Sequence, residues 1–191
     1  MLTTELLLNG YCQGIFPMAI NPRGDIAWFS PDPRALIPLD ERFHMSHSLR
    51  RTLRQERFRL TLDADFEAVI RACSKSHGDT WISREMMDSY CALHQAGYAH
   101  SIEVWMEARL VGGLYGVHIG GAFFGESMFH RASDASKVGL VYLVERLRAG
   151  GFALLDTQWM TPHLSQFGTY LIPKTDYLSL LERALSANCI F

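Results

Sequence analysis

Two short segments set acidic and amide side chains inside runs that are otherwise apolar. One is Gly125-Glu126-Ser127-Met128-Phe129; the other is Asp156-Thr157-Gln158, which closes the run Phe152 to Leu155. A carboxylate in such surroundings is costly to bury without partners, so Glu126 is either tied into a structural network or held for chemistry. Residues two apart on a strand face the same way, and Asp156 and Gln158 are therefore expected to project together. With Glu126 from another strand they would form a polar cluster in an apolar sheet, serving either as orienting and proton-handling groups or as a hydrogen-bond network. The first segment also looks like the beginning of a G-x-S-x-G elbow. Phe129 stands where the second glycine is required, which counts against Ser127 as a hydrolase nucleophile.

A second constellation is cationic. Six arginines (Arg42, Arg50, Arg51, Arg54, Arg57 and Arg59), a third of the 18 Lys and Arg residues, fall between Arg42 and Arg59, with His44 and His47 beside them. Arg50 and Arg54 are four apart and share a helix face flanked by Arg51. Such a face can hold several phosphates, with affinity that falls steeply with salt; the alternative is a solvated helix with Glu41 and Glu56 as local partners. His44-x-x-His47 has no third ligand at useful spacing, so no metal site is expected. Trp81, in Asp79-Thr80-Trp81-Ile82, follows a polar loop, where an indole either stacks on a base or packs into the core.

The elements that position these residues follow from periodicity and punctuation. A helix is expected over Thr3 to Gln13, capped by Thr3 or Thr4 and stopped at Gly14. Three prolines within Pro31 to Pro38 disfavour helix, and this stretch reads as an extended connector. A small N-terminal unit is expected to end near Pro33, giving units 1–33 and 34–191. Beyond it the pattern predicts a helix from Ser46 to about Glu56, a strand over Phe58 to Leu62, and helices over Phe66 to Ser74 and Arg84 to Gln95. An antiparallel meander should follow, over Ala99 to Met106, Arg109 to Ile119 and Gly121 to Phe129. Then come a long helix over Ala135 to Arg148, a strand over Phe152 to Gln158 and a late helix over Asp176 to Ala184. The fold class is α+β, with a mixed, largely antiparallel sheet. The segment Arg131 to Lys137 carries the chain from the Glu126 strand into the long helix, where backbone N–H groups can meet an anion. It contains no glycine, which argues against the turn that admits a coenzyme A pyrophosphate.

Composition narrows the class further. The 191 residues are 48% hydrophobic and 12% aromatic, too apolar for intrinsic disorder and enough for a sizeable core. A net charge of -2 means that any nucleic-acid contact must come from a local patch. The four cysteines are scattered without a C-x-x-C pair, as expected for buried thiols in a reducing cytoplasm. The apolar run Leu6-Leu7-Leu8 is too short to span a bilayer, so no membrane association is expected.

Read together, these segments resemble the leucyl/phenylalanyl-tRNA–protein transferases. The resemblance rests on Gly14-Ile15-Phe16-Pro17, Trp28 to Ala35, Thr80-Trp81-Ile82, His100 to Trp105, Leu110 to Val117, Gly125 to Phe129, Ala135-Ser136-Lys137 and Asp156-Thr157-Gln158, in order along nearly the whole chain. It implies a small N-terminal domain and a GNAT-type acyltransferase domain. The implied reaction moves leucine or phenylalanine, less readily methionine, from aminoacyl-tRNA to an N-terminal Arg or Lys of an acceptor protein, marking it for N-end rule degradation. Neither cofactor nor metal is implied, and a cytoplasmic monomer is expected. By the same resemblance, Glu126, Asp156 and Gln158 fall on catalytic positions and Trp81 on the residue holding the terminal adenosine. Leu114, Phe123 and Leu155 fall on the apolar pocket, and His47, Arg51 and Arg54, with Arg50 beside them, on the basic cluster that grips the acceptor stem. Met18 stands where a second tryptophan is usual, Leu114 where methionine is common, and Gln55 and His47 where arginines are known. Longer family members carry an N-terminal extension. The alternatives are a relative with shifted acyl or acceptor preference, a coenzyme A-dependent N-acetyltransferase and a catalytically silent RNA-binding module.

Overall fold

A computed structural model describes residues 2–21, 23–76 and 81–191. Asp79 and Thr80, which belong to a motif quoted above, lie outside the described residues. The chain opens with helix α1 (Thr4–Cys12), whose start is capped by the Thr3 hydroxyl accepting from the Leu6 N–H. Strands β1 (Phe16–Ala19) and β2 (Ile26–Phe29) then form an antiparallel two-stranded sheet of their own. Gly10 lets this hairpin close on α1, because a Cβ there would stand 2.2 Å from the Trp28 ring.

The next segment corrects the sequence reading. Residues 34–37, expected to be part of a connector, form strand β3 (Arg34–Ile37), buried at every position. Its flanking prolines sit outside the paired residues, so the missing N–H groups cost no ladder bonds. Helix α2 (His47–Arg54), strand β4 (Arg59–Leu62), and helices α3 (Phe66–Ser76) and α4 (Arg84–Gln95) follow. The meander β5 (Ala99–Met106), β6 (Arg109–Ile119) and β7 (Ala122–His130) leads into helix α5 (Ala135–Ala149). Strand β8 (Leu154–Gln158), the short helix α6 (Pro162–Ser165), strand β9 (Tyr170–Ile172) and helix α7 (Lys174–Leu185) complete the described elements. The periodic helices and the meander lie where the sequence pattern puts them. The β1–β2 hairpin, β9 and α6 were not anticipated.

The large sheet has the order β4-β5-β6-β7-β8-β3-β9, and all its pairs are antiparallel except β7 with β8. One apolar layer joins Leu7, Tyr11, Val69, Tyr90, Phe124 and Tyr177. The other joins Leu114, Phe123, Leu140, Leu143 and Leu155, with α5 as its main helix. Each such side chain contributes about 1.5–3 kcal/mol on burial, which holds the helices to the two faces.

The feature that matters for function is where the sheet comes apart. The parallel β7–β8 pairing covers Ala122 to Phe124 against Leu154 to Asp156 and then stops. Both strands bulge at that level. On β7, Tyr115 opposes Ser127 while Gly116 opposes Gly125, leaving Glu126 as the extra residue. On β8, Leu36 opposes Asp156 while Ala35 opposes Gln158, leaving Thr157 as the extra one. Gly116 permits the first bulge, since a Cβ there would lie 2.3 Å from the Phe124 carbonyl oxygen. Bulges bend and twist the strands that carry them, and here they splay β7 from β8.

Candidate active site

The splay opens into a cavity of about 510 Å³ that reaches both layers of the fold. Leu114, Leu140, Leu143 and Leu155 form an aliphatic wall from β6, α5 and β8. Phe16, Met18 and Trp81 line the side toward the hairpin. Between the two stand Glu126, Thr157 and Gln158. The volume suits a small ligand or the end of a larger one, with few polar groups to orient it.

Among the described residues, Glu126 is the only carboxylate that lines the cavity. The Tyr11 hydroxyl donates to its Oε1 (2.7 Å) and the Tyr90 hydroxyl to its Oε2 (3.1 Å), while the two phenols touch each other at 2.5 Å. Burial pushes the Glu126 pKa up to about 7; the two tyrosine bonds pull it down, the Asp156 charge raises it and Arg34 lowers it. Burial, and after it the charge of the same carboxylate, holds the Tyr11 and Tyr90 hydroxyls well above the usual phenol range, so both remain protonated donors.

Asp156 lies in a different setting. It is fully buried and paired with Arg34, itself 1% exposed. Arg34 Nη2 donates to Oδ2 (2.6 Å) and its Nε to Oδ1 (2.9 Å), while the Tyr177 hydroxyl donates to Oδ2 (2.7 Å). The Arg34 guanidinium also donates to the Gly14 carbonyl at the end of α1 (3.0 Å) and packs against the rings of Phe16 and Tyr177. Burial opposes its charge, but the bond to Asp156 prevails and its pKa is raised. Asp156 thus does not line the cavity, and the expectation that its side chain projects together with that of Gln158 is corrected. The bulge at Thr157 and the left-handed conformation of Gln158 (φ 60°) turn the glutamine toward the opening. The two remain linked through the Gln158 N–H, which donates to Asp156 Oδ1 at 2.8 Å. Gln158 Nε2 is buried without a hydrogen-bond partner, leaving its carboxamide uncommitted at the cavity wall.

Among the residues expected in the apolar pocket, Leu114 and Leu155 line the cavity and Phe123 does not. Phe123 belongs to the same apolar layer, but it is fully buried and its ring stacks on Phe191 at 5.1 Å instead of facing the opening. Trp81 and Met18 both line the cavity, and the Trp81 carbonyl accepts from the Ala19 N–H (3.1 Å), fixing the loop against β1. Ser127 sits within β7 rather than on a turn, so no nucleophile elbow forms.

The basic helix packs on the start of α5. On α2, Leu49 and Thr52 face inward, while His47, Arg50, Arg51 and Arg54 are exposed. Arg50 donates to the Met45 carbonyl, and no hydrogen bond or ion pair engages Arg51 or Arg54 among the described residues. Thr52 bonds Asp134 (3.2 Å) and Arg57 bonds the Ser133 carbonyl (2.9 Å), which ties α2 to the start of α5, where Ser136 lines the cavity.

Sequence reasoning missed Arg34, Tyr11, Tyr90 and Tyr177, along with Leu140 and Leu143. A usable signal existed for Arg34, a lone cation heading the apolar run Ala35-Leu36-Ile37. The tyrosines gave none, since each lies on an ordinary amphipathic helix.

Comparison with known proteins gives a consistent picture. Residues 36–182 match the family described as leucyl/phenylalanyl-tRNA protein transferase, and residues 1–32 match the N-terminal domain of that description. The chain is 55% identical over 190 residues to a leucyl/phenylalanyl-tRNA–protein transferase of Herpetosiphon aurantiacus, covering 100% of this chain and 98% of that protein. It is 54% identical over 186 residues to the protein of the same description from Akkermansia muciniphila, covering 96% of each. Among solved structures, L-PGS from Bacillus licheniformis shares the fold at a TM-score of 0.51 and 11% identity, over 96% of this chain and 71% of that one. The α+β arrangement with one parallel pair in a largely antiparallel sheet is the one expected from the sequence.

Proposed function

The chain belongs to the leucyl/phenylalanyl-tRNA protein transferase family, and from that premise we propose that its cavity takes leucine or phenylalanine, less readily methionine, still esterified to tRNA. The acceptor is the N-terminal Arg or Lys of a protein thereby marked for N-end rule degradation. The reaction is proposed for a single chain in the cytoplasm, where charged tRNA is found. A unit of residues 1–33 supplies Phe16 and Met18 at the mouth, and residues 34–191 supply the acyl pocket. The observation that carries this reading is the aliphatic wall of Leu114, Leu140, Leu143 and Leu155 meeting Glu126 and Gln158 at the splay. Such a wall separates leucine from valine by only ~1–3 kcal/mol, so it sorts by size and apolarity rather than absolutely.

The chemistry is aminolysis of an ester already activated by its RNA. A bond forms between the acceptor nitrogen and the acyl carbon, the bond from that carbon to the ribose oxygen breaks, and the nitrogen's proton ends on the ribose oxygen. The acceptor α-amine has a reference pKa of ~7.7–8.0, so a mild base suffices. Glu126, at about 7, is suited to take that proton or hold the cationic acceptor, and then to release it. Gln158 is no base; its carboxamide oxygen can accept from the attacking amine while its nitrogen steadies the ester carbonyl. Asp156 is a positioning residue, fixing the Gln158 backbone and the Arg34 guanidinium. His47, Arg50, Arg51 and Arg54 hold phosphates of the acceptor stem.

Incubating purified protein with labelled Leu-tRNA and an Arg-initiated peptide, with nothing else added, tests the whole reading. Labelled leucine should appear on the peptide. Labelling from acetyl-coenzyme A but not from Leu-tRNA would replace it with an N-acetyltransferase.

A further inference from the structure

Trp159 is a large aromatic left 42% exposed at the rim of the cavity, directly after Gln158. Three constraints hold its indole there. Its backbone N–H donates to the Thr157 carbonyl at 2.7 Å, its ring meets Phe16 edge-to-face (5.0 Å between centroids, 85°), and it meets Phe29 similarly (6.0 Å, 67°). The ring is therefore rigidly presented, which keeps the entropy cost of any further stacking low. Phe16 and Met18 are two apart on β1 and both line the cavity, as does Trp81, whose backbone bonds the same strand. Two indoles thus line the cavity together with Phe16 and Met18, and Met18 supplies no ring.

We infer that Trp159 is a donor-contacting residue whose indole stacks on the purine base at the 3′ end of the aminoacyl-tRNA. The inference rests on the reading given under Proposed function. With the acyl carbonyl at Gln158, the ribose and base to which it is esterified must lie within a nucleoside's length of it, and residue 159 is 3.8 Å from residue 158 between Cα atoms. A cationic acceptor side chain is the competing occupant of an exposed indole. It would look for a carboxylate beside the ring, yet among the described residues Glu126 is the sole carboxylate on the cavity wall, and two tyrosine hydroxyls bind it. The neighbours of Trp159 are the hydrocarbon rings of Phe16 and Phe29, which favour a flat, uncharged partner.

The test uses an amide-linked 3′-leucylamido-3′-deoxyadenosine, a non-transferable mimic of the donor end, together with steady-state transfer from Leu-tRNA. Trp159→Ala should weaken the mimic at least about fivefold and raise the Leu-tRNA half-saturation in parallel, following the usual effect of removing a base-stacking ring. Trp159→Phe should retain most of the affinity, and the acceptor-peptide half-saturation should stay unchanged in both. If the wild-type protein binds the mimic and Trp159→Ala binds it equally well, this inference fails and the proposed function stands. A loss confined to the acceptor half-saturation would overturn it in favour of an acceptor contact. A wild-type protein that neither binds the mimic nor transfers leucine would overturn both.

Discussion

Glu126 and Asp156 flank the same opening in the sheet, and their surroundings could hardly differ more. Asp156 is closed off from the cavity and meets a full positive charge, with Arg34, Tyr177 and the Gln158 N–H sharing its two oxygens. Glu126 faces the cavity and meets only two neutral phenols. A buried ion pair with satisfied lone pairs organises structure, because either partner alone would be an uncompensated charge. A carboxylate with hydrogen bonds and no counter-ion keeps its proton up to about pH 7 and can exchange it there. The contrast separates a group that builds the site from one that works in it.

The strongest way to break that division is at the ion pair. Asp156→Ala should lower urea-unfolding stability by about 3–5 kcal/mol through the stranded Arg34 charge and reduce single-turnover transfer severely. Replacing both partners, Arg34→Met with Asp156→Leu, should restore much of the stability. Transfer should stay low in that double variant, since Gln158 loses its anchor. Transfer at the wild-type rate would make Asp156 purely a fold element.

At Glu126 the sign is reversed. A carboxyl raised from the ordinary value of 4.5 to about 7 binds more protons folded than unfolded between those pH values. Its contribution to stability therefore falls as pH rises through that window, by about 3 kcal/mol in all. Glu126→Gln should flatten this part of the stability–pH curve and be no less stable than wild type at pH 8. Tyr11→Phe or Tyr90→Phe removes a bond that favours the ionised form, so each should move the Glu126 midpoint upward by about one unit, read by carbon-13 NMR of labelled glutamate. The smallest effect concerns cations without a buried partner. Arg51→Ala combined with Arg54→Ala should leave stability unchanged while reducing the slope of log affinity for tRNA against log salt by about two. An unchanged slope would remove α2 from the RNA contact.

Much of this frame was legible in the residues. Alternation gives β5 to β7, and serine and threonine caps fix the helix starts at Thr3 and Ser46. What stayed hidden shares one cause. Arg34 meets Asp156 across 122 positions, and Tyr11 reaches Glu126 across 115. Periodicity is a local signal and carries nothing about such pairs. The prolines around residues 34–37 masked a strand whose extended form is imposed by β8 and β9 on either side. The two bulges escaped for the same reason, because a bulge is a property of two paired strands. They turned Gln158 toward the cavity and left Asp156 behind it, against the simple period of two.

The central claim is that Glu126, at the splay of β7 and β8, carries the proton during transfer. Single-turnover leucine transfer from Leu-tRNA to an Arg-initiated peptide, measured from pH 5.5 to 9 in wild type and Glu126→Gln, tests it directly. The wild-type rate should climb through a step near pH 7 that the variant lacks, leaving only the rise of the acceptor amine at ~7.7–8.0. The same step, with the same midpoint, in both proteins would contradict the assignment.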